Sequence, residues 1–220
     1  MASNIEVKLK QDTKNNKYYK LYLKNVPVAF ASVLKPRFKY QSKVEKEYSA
    51  NVFVDEAAKD KLEDEVKLNK TLIEVFKGKN SKKKVAYPKE TYGEVENIEA
   101  GMYGFKLTQN AKSKAGKPMS VTVIDKEGGK FDQLIGNGSI CNIVCAAWYN
   151  DDDLLTARLN TVQVLDHIPY EGNGGVVEDS ELGVSYEIQY ADDSDDDTES
   201  TEVSEDSDLP FDDSDDEDYE

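Results

Sequence analysis

Ile140-Cys141-Asn142-Ile143-Val144-Cys145-Ala146-Ala147-Trp148-Tyr149 is nearly all apolar, and Asn150-Asp151-Asp152-Asp153 follows it before Leu154 to Leu165. An apolar run of this length reads as a strand buried on both faces. The polar turn sends the chain back antiparallel to it. In the return strand Leu155, Ala157 and Leu159 share one phase, whereas Val162 and Val164 fall on the other. A change of face near Asn160-Thr161 is the pattern of a β-bulge, which lets a sheet curl.

Upstream, the pattern is again that of strands. Ile5, Val7 and Leu9 alternate with Glu6, Lys8 and Lys10, and Tyr18 to Val28 is rich in Tyr, Leu and Val. Pro27 marks an edge or the end of that strand. Lys35-Pro36-Arg37-Phe38-Lys39-Tyr40 alternates cations with rings, and Tyr48 to Val54 forms a further strand. Asp55 then stands as a helix N-cap. Ala58, Leu62, Val66, Ile73 and Phe76 keep helical spacing up to a stop at Gly78, which predicts a packed helix of about 20 residues. Lysine-rich loops (Lys77 to Lys84 and Lys112 to Pro118) flank a strand at Gly101 to Leu107, and Met119 to Ile124 is another strand. Glu127 to Lys130 and Gly136-Asn137-Gly138 are turns. The expectation is a mainly β protein: a small Greek-key barrel, of which the OB-fold is one type, with one long packed helix.

Charge divides the chain in two. Residues 1–170 hold all 28 Lys and Arg against 22 Asp and Glu, a net of +6. The remaining 22 acids lie in residues 171–220, which carry no base. The last stretch, Asp192 to Glu220, has seventeen acids and few apolar residues, and is expected to be a disordered polyanion. Such asymmetry points to contact with nucleic acid or a membrane, together with an acidic tail. No apolar run is long enough for a membrane span, and no signal-peptide core follows Met1, so a cytosolic protein without membrane contact is expected. Cys141 and Cys145, four apart in one strand, lie too far from each other to bridge and are expected reduced and buried. The domains are then a binding domain over 1–170, a linker over 171–191 and a tail over 192–220.

Ser120 to Lys130, followed by Leu134-Ile135-Gly136-Asn137-Gly138-Ser139, resembles the strand–turn–strand core of the single-stranded DNA-binding proteins of short-tailed phages and their relatives. The likeness extends to Tyr48 to Val66, to Tyr103-Gly104-Phe105-Lys106, to the return strand into Asp166-His167, and to an acidic tail after Gly172-Asn173-Gly174-Gly175. The resemblance implies an OB-fold that coats single strands in the cytoplasm of an infected host cell during phage replication, recombination and repair. It implies a tail that competes with DNA for the groove and contacts phage or host replication proteins such as the polymerase and the helicase-primase. It leaves both a monomer and a homodimer open. Lys106 matches a basic strand position of the family, Lys82-Lys83-Lys84 a basic loop facing DNA, and Trp148 or Tyr149 an aromatic used for DNA contact. The tail departs from the pattern: Tyr219 is followed by Glu220 where family tails often finish on an aromatic. Leu209-Pro210-Phe211, similar to the tip of bacterial single-strand-binding tails, is internal.

Binding a single strand without sequence preference needs cations along a groove and flat rings on which bases stack. Lys35, Arg37, Phe38 and Tyr40 offer both, as do Lys106, Trp148 and Tyr149, while Lys82, Lys83, Lys84, Lys112, Lys114 and Lys117 steer from loops. Leu209, Pro210, Phe211 and Tyr219 are the candidate partner contacts of the tail. Phe53 and Phe105 are expected in the core. No zinc-ligand spacing, phosphate-binding Gly-rich loop or nucleophile elbow occurs, so no enzyme, cofactor or metal is expected. The competing reading is an acidic-tailed chaperone for histones or other basic proteins, acting through the tail.

Overall fold

The computed structural model describes residues 4–13, 15–75 and 95–170, together with the backbone of two short strands within 171–220. The chain divides into two compact units, Met1–Glu171 and Gly172–Glu220. In the second, β9 (Val176–Asp179) and β10 (Val184–Glu187) pair antiparallel, in a stretch expected to be a linker. The tail over 192–220, with Leu209, Pro210, Phe211 and Tyr219, lies outside the described residues, as do Lys82, Lys83 and Lys84.

The first unit is mainly β. Its strands are β1 (Glu6–Gln11), β2 (Tyr19–Phe38), β3 (Lys46–Val54), β4 (Ile73–Glu74), β5 (Tyr103–Asn110), β6 (Thr122–Ile124), β7 (Ile140–Tyr149) and β8 (Leu155–Asp166). They form one sheet in the order β4-β5-β3-β2-β7-β8-β6, with β1 also paired to β2. β2, β3 and β5 make an antiparallel meander, and the chain then crosses to the other side of β2 to add β7 and β8. The order of these five strands is that of an OB barrel. β5 and β8, the ends of the path, approach one another, although among the described residues they share no ladder, so the barrel is partly open.

β2 makes the curl. Two strands were expected here, with Pro27 near the end of the first; instead one strand of 20 residues bends through three register shifts. Pro27 stands beside one of these, where the ladder is already interrupted and a missing N–H costs little. Asn25 and Phe30 take positive φ of 54° and 50° at the bends. Their N–H groups are satisfied from the side: Asn25 donates to Asn142 Oδ1 at 3.0 Å and Phe30 to Asn137 Oδ1 at 2.8 Å. The bulge expected at Asn160 is present: Val144 faces Thr161 but Cys145 faces Leu159, so Asn160 is the extra residue and Leu155, Leu159, Val162 and Val164 all point inward.

The helix is shorter than its spacing predicts. Asp55 caps it, accepting from the Ala58 N–H at 2.8 Å, but the α-helix covers Glu56–Asp60 only (α1), followed by a π-helical stretch, Lys61–Glu65. Ala58, Leu62 and Val66 have by then filled the barrel's open end. Lys67 adopts a φ of 53°, and the chain bonds to β8 instead: Leu155 donates to Lys67 O at 2.8 Å and Asn69 to Leu155 O at 2.9 Å. Ile73, read as the next helical turn, lies in β4 against Gly104 of β5. Tertiary pairing has overridden a periodicity that fitted a longer helix; Phe76 to Gly78 lie outside the described residues.

The interior is filled from all sides by Leu21, Leu23, Val28, Val52, Leu62, Leu107, Ile143 and Leu159, each about 1.5–3 kcal/mol of burial. Phe105 belongs to this core. Phe53 belongs to a smaller cluster with Ala29, Val75, Ile98 and Met102. Cys141 and Cys145 are unpaired and buried, and burial pushes both thiols up to about 12.

Candidate nucleic-acid interface

The inward residues of β3 are Ala50, Val52 and Val54, which leaves Glu47, Ser49 and Asn51 on its outer face. The register sets Asn51 beside Lys106, Ser49 beside Thr108 and Glu47 beside Asn110 of β5. On the other flank Arg37 of β2 lies opposite Glu47, and Phe38 opposite Lys46. Between them runs an open groove of about 590 Å³, its rim completed by Phe30 and by Lys70, Thr71 and Ile73. Among the described residues its charges are three cations (Arg37, Lys70, Lys106) and one acid, Glu47.

That acid is matched to a cation. Lys106 Nζ lies 2.5 Å from Glu47 Oε1, the lysine side chain half exposed and the glutamate largely covered. Phe38 is 51% exposed, with Lys46 Nζ 4.7 Å from its ring centroid. Lys35 and Arg37 are exposed on the same strand end. The loop over 39–45 turns tightly, with Lys39 N–H donating to Glu45 O at 2.8 Å and Lys39 Nζ paired to Glu45 at 2.6 Å. That lysine holds the Glu45 carboxyl below its ordinary range, by hydrogen bonding first and by charge second. The loop carries Tyr40 at its tip, 90% exposed.

Lys112, Lys114 and Lys117 sit in the loop after β5, tied to the same end because Ala111 donates to Lys46 O at 2.9 Å. Lys35, Arg37, Phe38, Tyr40, Lys106 and this loop are thus brought to one face and one end. The opposite rim leads through Asn69 into the β7–β8 turn over 150–154.

Trp148 and Tyr149 are separated. Successive residues of a strand face opposite ways. Trp148 points outward from β7 beneath Arg158, whose guanidinium is 4.8 Å from the ring centroid, and does not line the groove. Tyr149 packs edge-on against Tyr19 at 5.3 Å, and its hydroxyl donates to Val66 O at 3.5 Å. Burial, then Tyr19 and Asp153, raise its pKa.

Sequence reasoning missed Phe30 and Lys70. Phe30 stands in Pro27-Val28-Ala29-Phe30-Ala31, an apolar run without alternation, and only the left-handed backbone at that position brings the ring to the groove, 44% exposed. A bulky residue with positive φ is a strained exception, of the kind found where a side chain must be presented. Lys70 was hidden by the expected long helix. The Gly136-Asn137-Gly138 turn supports this presentation from behind: Asn137 holds the Phe30 N–H, and Gly138 donates to Val28 O at 2.8 Å.

No protein-family profile matches the chain, and no curated protein matches it. Among solved structures the chain is similar to the single-stranded DNA-binding protein from bacteriophage Enc34 in complex with ssDNA. That match has 16% identity and a TM-score of 0.43, and covers 75% of this chain and 99% of the other. It is also similar to gp2.5, a single-stranded DNA-binding protein encoded by bacteriophage T7, at 14% identity and a TM-score of 0.38, covering 71% and 90%. Both are bacteriophage single-stranded DNA-binding proteins.

Proposed function

We propose that the chain binds single-stranded DNA, without strong sequence preference, along the outer face of β2, β3 and β5. The observation that carries this reading is the convergence of exposed rings (Phe30, Phe38) with Arg37, Lys46, Lys70 and Lys106 on one open sheet face. Rings give every base a surface on which to stack, and cations follow the backbone. In this reading the protein coats and protects DNA during phage replication, recombination and repair in the host cytoplasm.

The acidic stretch over 192–220 follows from the same electrostatics. Tethered to a body of net charge +6, it competes with DNA at a high effective concentration and, once displaced, is free for replication proteins such as the polymerase or the helicase-primase.

Titration with a thymidine homopolymer at two salt concentrations, on the full chain and on a truncation after Tyr190, tests both statements. Saturable binding that weakens with salt and tightens on truncation is the expected result. Loss of histone or polylysine binding on truncation, with no DNA binding by either form, would replace this reading with the chaperone one.

A further inference from the structure

The groove leaves half of the outer sheet unused. On the face formed by β1, the first half of β2, β7 and β8, the outward residues include Lys8 and Lys10, Lys20 and Tyr22, Ala146 and Trp148, and Arg158. The register aligns Lys10 with Lys20, Lys20 with Ala146 and Ala146 with Arg158, one row straight across four strands. Like charges set directly opposite one another oppose folding. Here Lys10 faces Lys20, and neither they nor Lys8 or Arg158 form an ion pair with a carboxylate among the described residues. Around this row the only outward acid of β1 is Glu6, matched to Lys24 at 2.8 Å. A row of uncompensated cations across a sheet is placed for a polyanion.

The flanking side chains say which one. Tyr22 stands beside the row with Lys10 5.7 Å from its ring, and Trp148 beside it with Arg158 4.8 Å from its ring. Ala146 leaves a flat floor between them. Two rings on either side of a cationic row suit a strand whose phosphates follow the lysines and whose bases turn to the rings. β2 runs through both faces, with Tyr22 at one end and Arg37 and Phe38 at the other.

We propose that this face is a second track for the same single strand, so that DNA longer than the groove continues around the barrel over Lys10, Lys20 and Arg158 and stacks on Tyr22 and Trp148. The inference rests on the groove binding the first part of the strand.

The test compares thymidine oligomers that fill only the groove with longer ones, on the full chain and on Lys10→Gln, Lys20→Gln, Arg158→Gln combined. For long oligomers, losing three phosphate contacts makes the salt slope shallower by about 2, which is about 100-fold in affinity near 0.1 M salt. Short oligomers should bind the variant as they bind the native chain. Trp148, the single tryptophan, should be quenched by long oligomers only. Removing opposed cations should leave the melting temperature unchanged or higher. Unchanged long-oligomer binding with a silent Trp148 overturns the second track and leaves the groove standing. A failure of Arg37→Gln with Lys106→Gln to weaken short-oligomer binding counts against the groove itself. Quenching by a synthetic peptide of residues 192–220, and not by long DNA, reassigns the face to acidic peptides.

Discussion

Glu47→Gln should make the protein bind DNA more tightly. Glu47 is the one acid lining the groove among the described residues, and its carboxylate holds Lys106 Nζ at 2.5 Å. A phosphate that approaches Lys106 must therefore displace a neighbouring carboxylate and tolerate its charge. The pair itself is worth little to stability, because the lysine is half exposed and exposed ion pairs contribute about 0–1 kcal/mol. Neutralising Glu47 frees one cation for one more phosphate. On a single strand each contact adds about 0.7 to the slope of log affinity against log salt, so the variant should gain about fivefold near 0.1 M and almost nothing near 1 M. The assay is a fluorescence or anisotropy titration of labelled thymidine oligomer across that salt range, with a thermal melt to show that the fold is intact. Lys106→Gln in the Glu47→Gln background should remove the gain. A gain that survives the loss of Lys106, or one independent of salt, would refute the placement of the strand in this groove.

Three further perturbations reach other parts of the argument. Phe30→Ala and Phe30→Gly should each cost about 1–3 kcal/mol in DNA binding by titration, the worth of one stacking platform. Of the two, the glycine variant should melt higher, since glycine takes the φ of 50° at that position without penalty. Gly138→Ala should destabilise the protein by more than about 1 kcal/mol in a urea melt, because the residue has a φ of 90° and an added Cβ would press on the Glu96 carbonyl. The two thiols, pushed up to about 12 by burial, hold their protons in the fold while those of the unfolded chain ionise near their ordinary value. Their contribution is complete below that ordinary value and is lost as pH rises towards 12, so stability should fall between about pH 9 and 12. Cys145→Ala should show a shallower fall in chemical denaturation, and neither thiol should react with a disulfide reagent before unfolding.

The parts of the fold legible in the sequence are those in which a side-chain period reports burial directly. The phase change in β8 revealed the bulge at Asn160, and the alternation in β1 gave its inward face. What misled was periodicity standing in for pairing. Ile73 and Phe76 continue the stripe of Ala58, Leu62 and Val66 on a helical wheel, yet the backbone after Val66 finds better partners in β8 and β5. The same substitution concealed the site. Arg37 and Phe38 were visible because they alternate with neighbours of another character, and Lys106 because it matches a basic strand position of the family the sequence resembles; Phe30 was not, because an apolar run carries no phase. Its exposure depends on a left-handed residue, and that depends on Asn137, over a hundred residues away, accepting its N–H. Two bends with positive φ in β2, each supported by a distant asparagine, turn what would be one flat strand into the shared floor of two faces. Abolishing either support, Asn137→Ala or Asn142→Ala, should therefore disturb the face nearest its own bend first. Asn137→Ala should weaken binding of short oligomers without itself touching DNA, and Asn142→Ala should weaken only the binding of long ones. If both variants weaken short and long oligomers equally, the bends do not act separately, and the division of the outer sheet into two tracks fails with them.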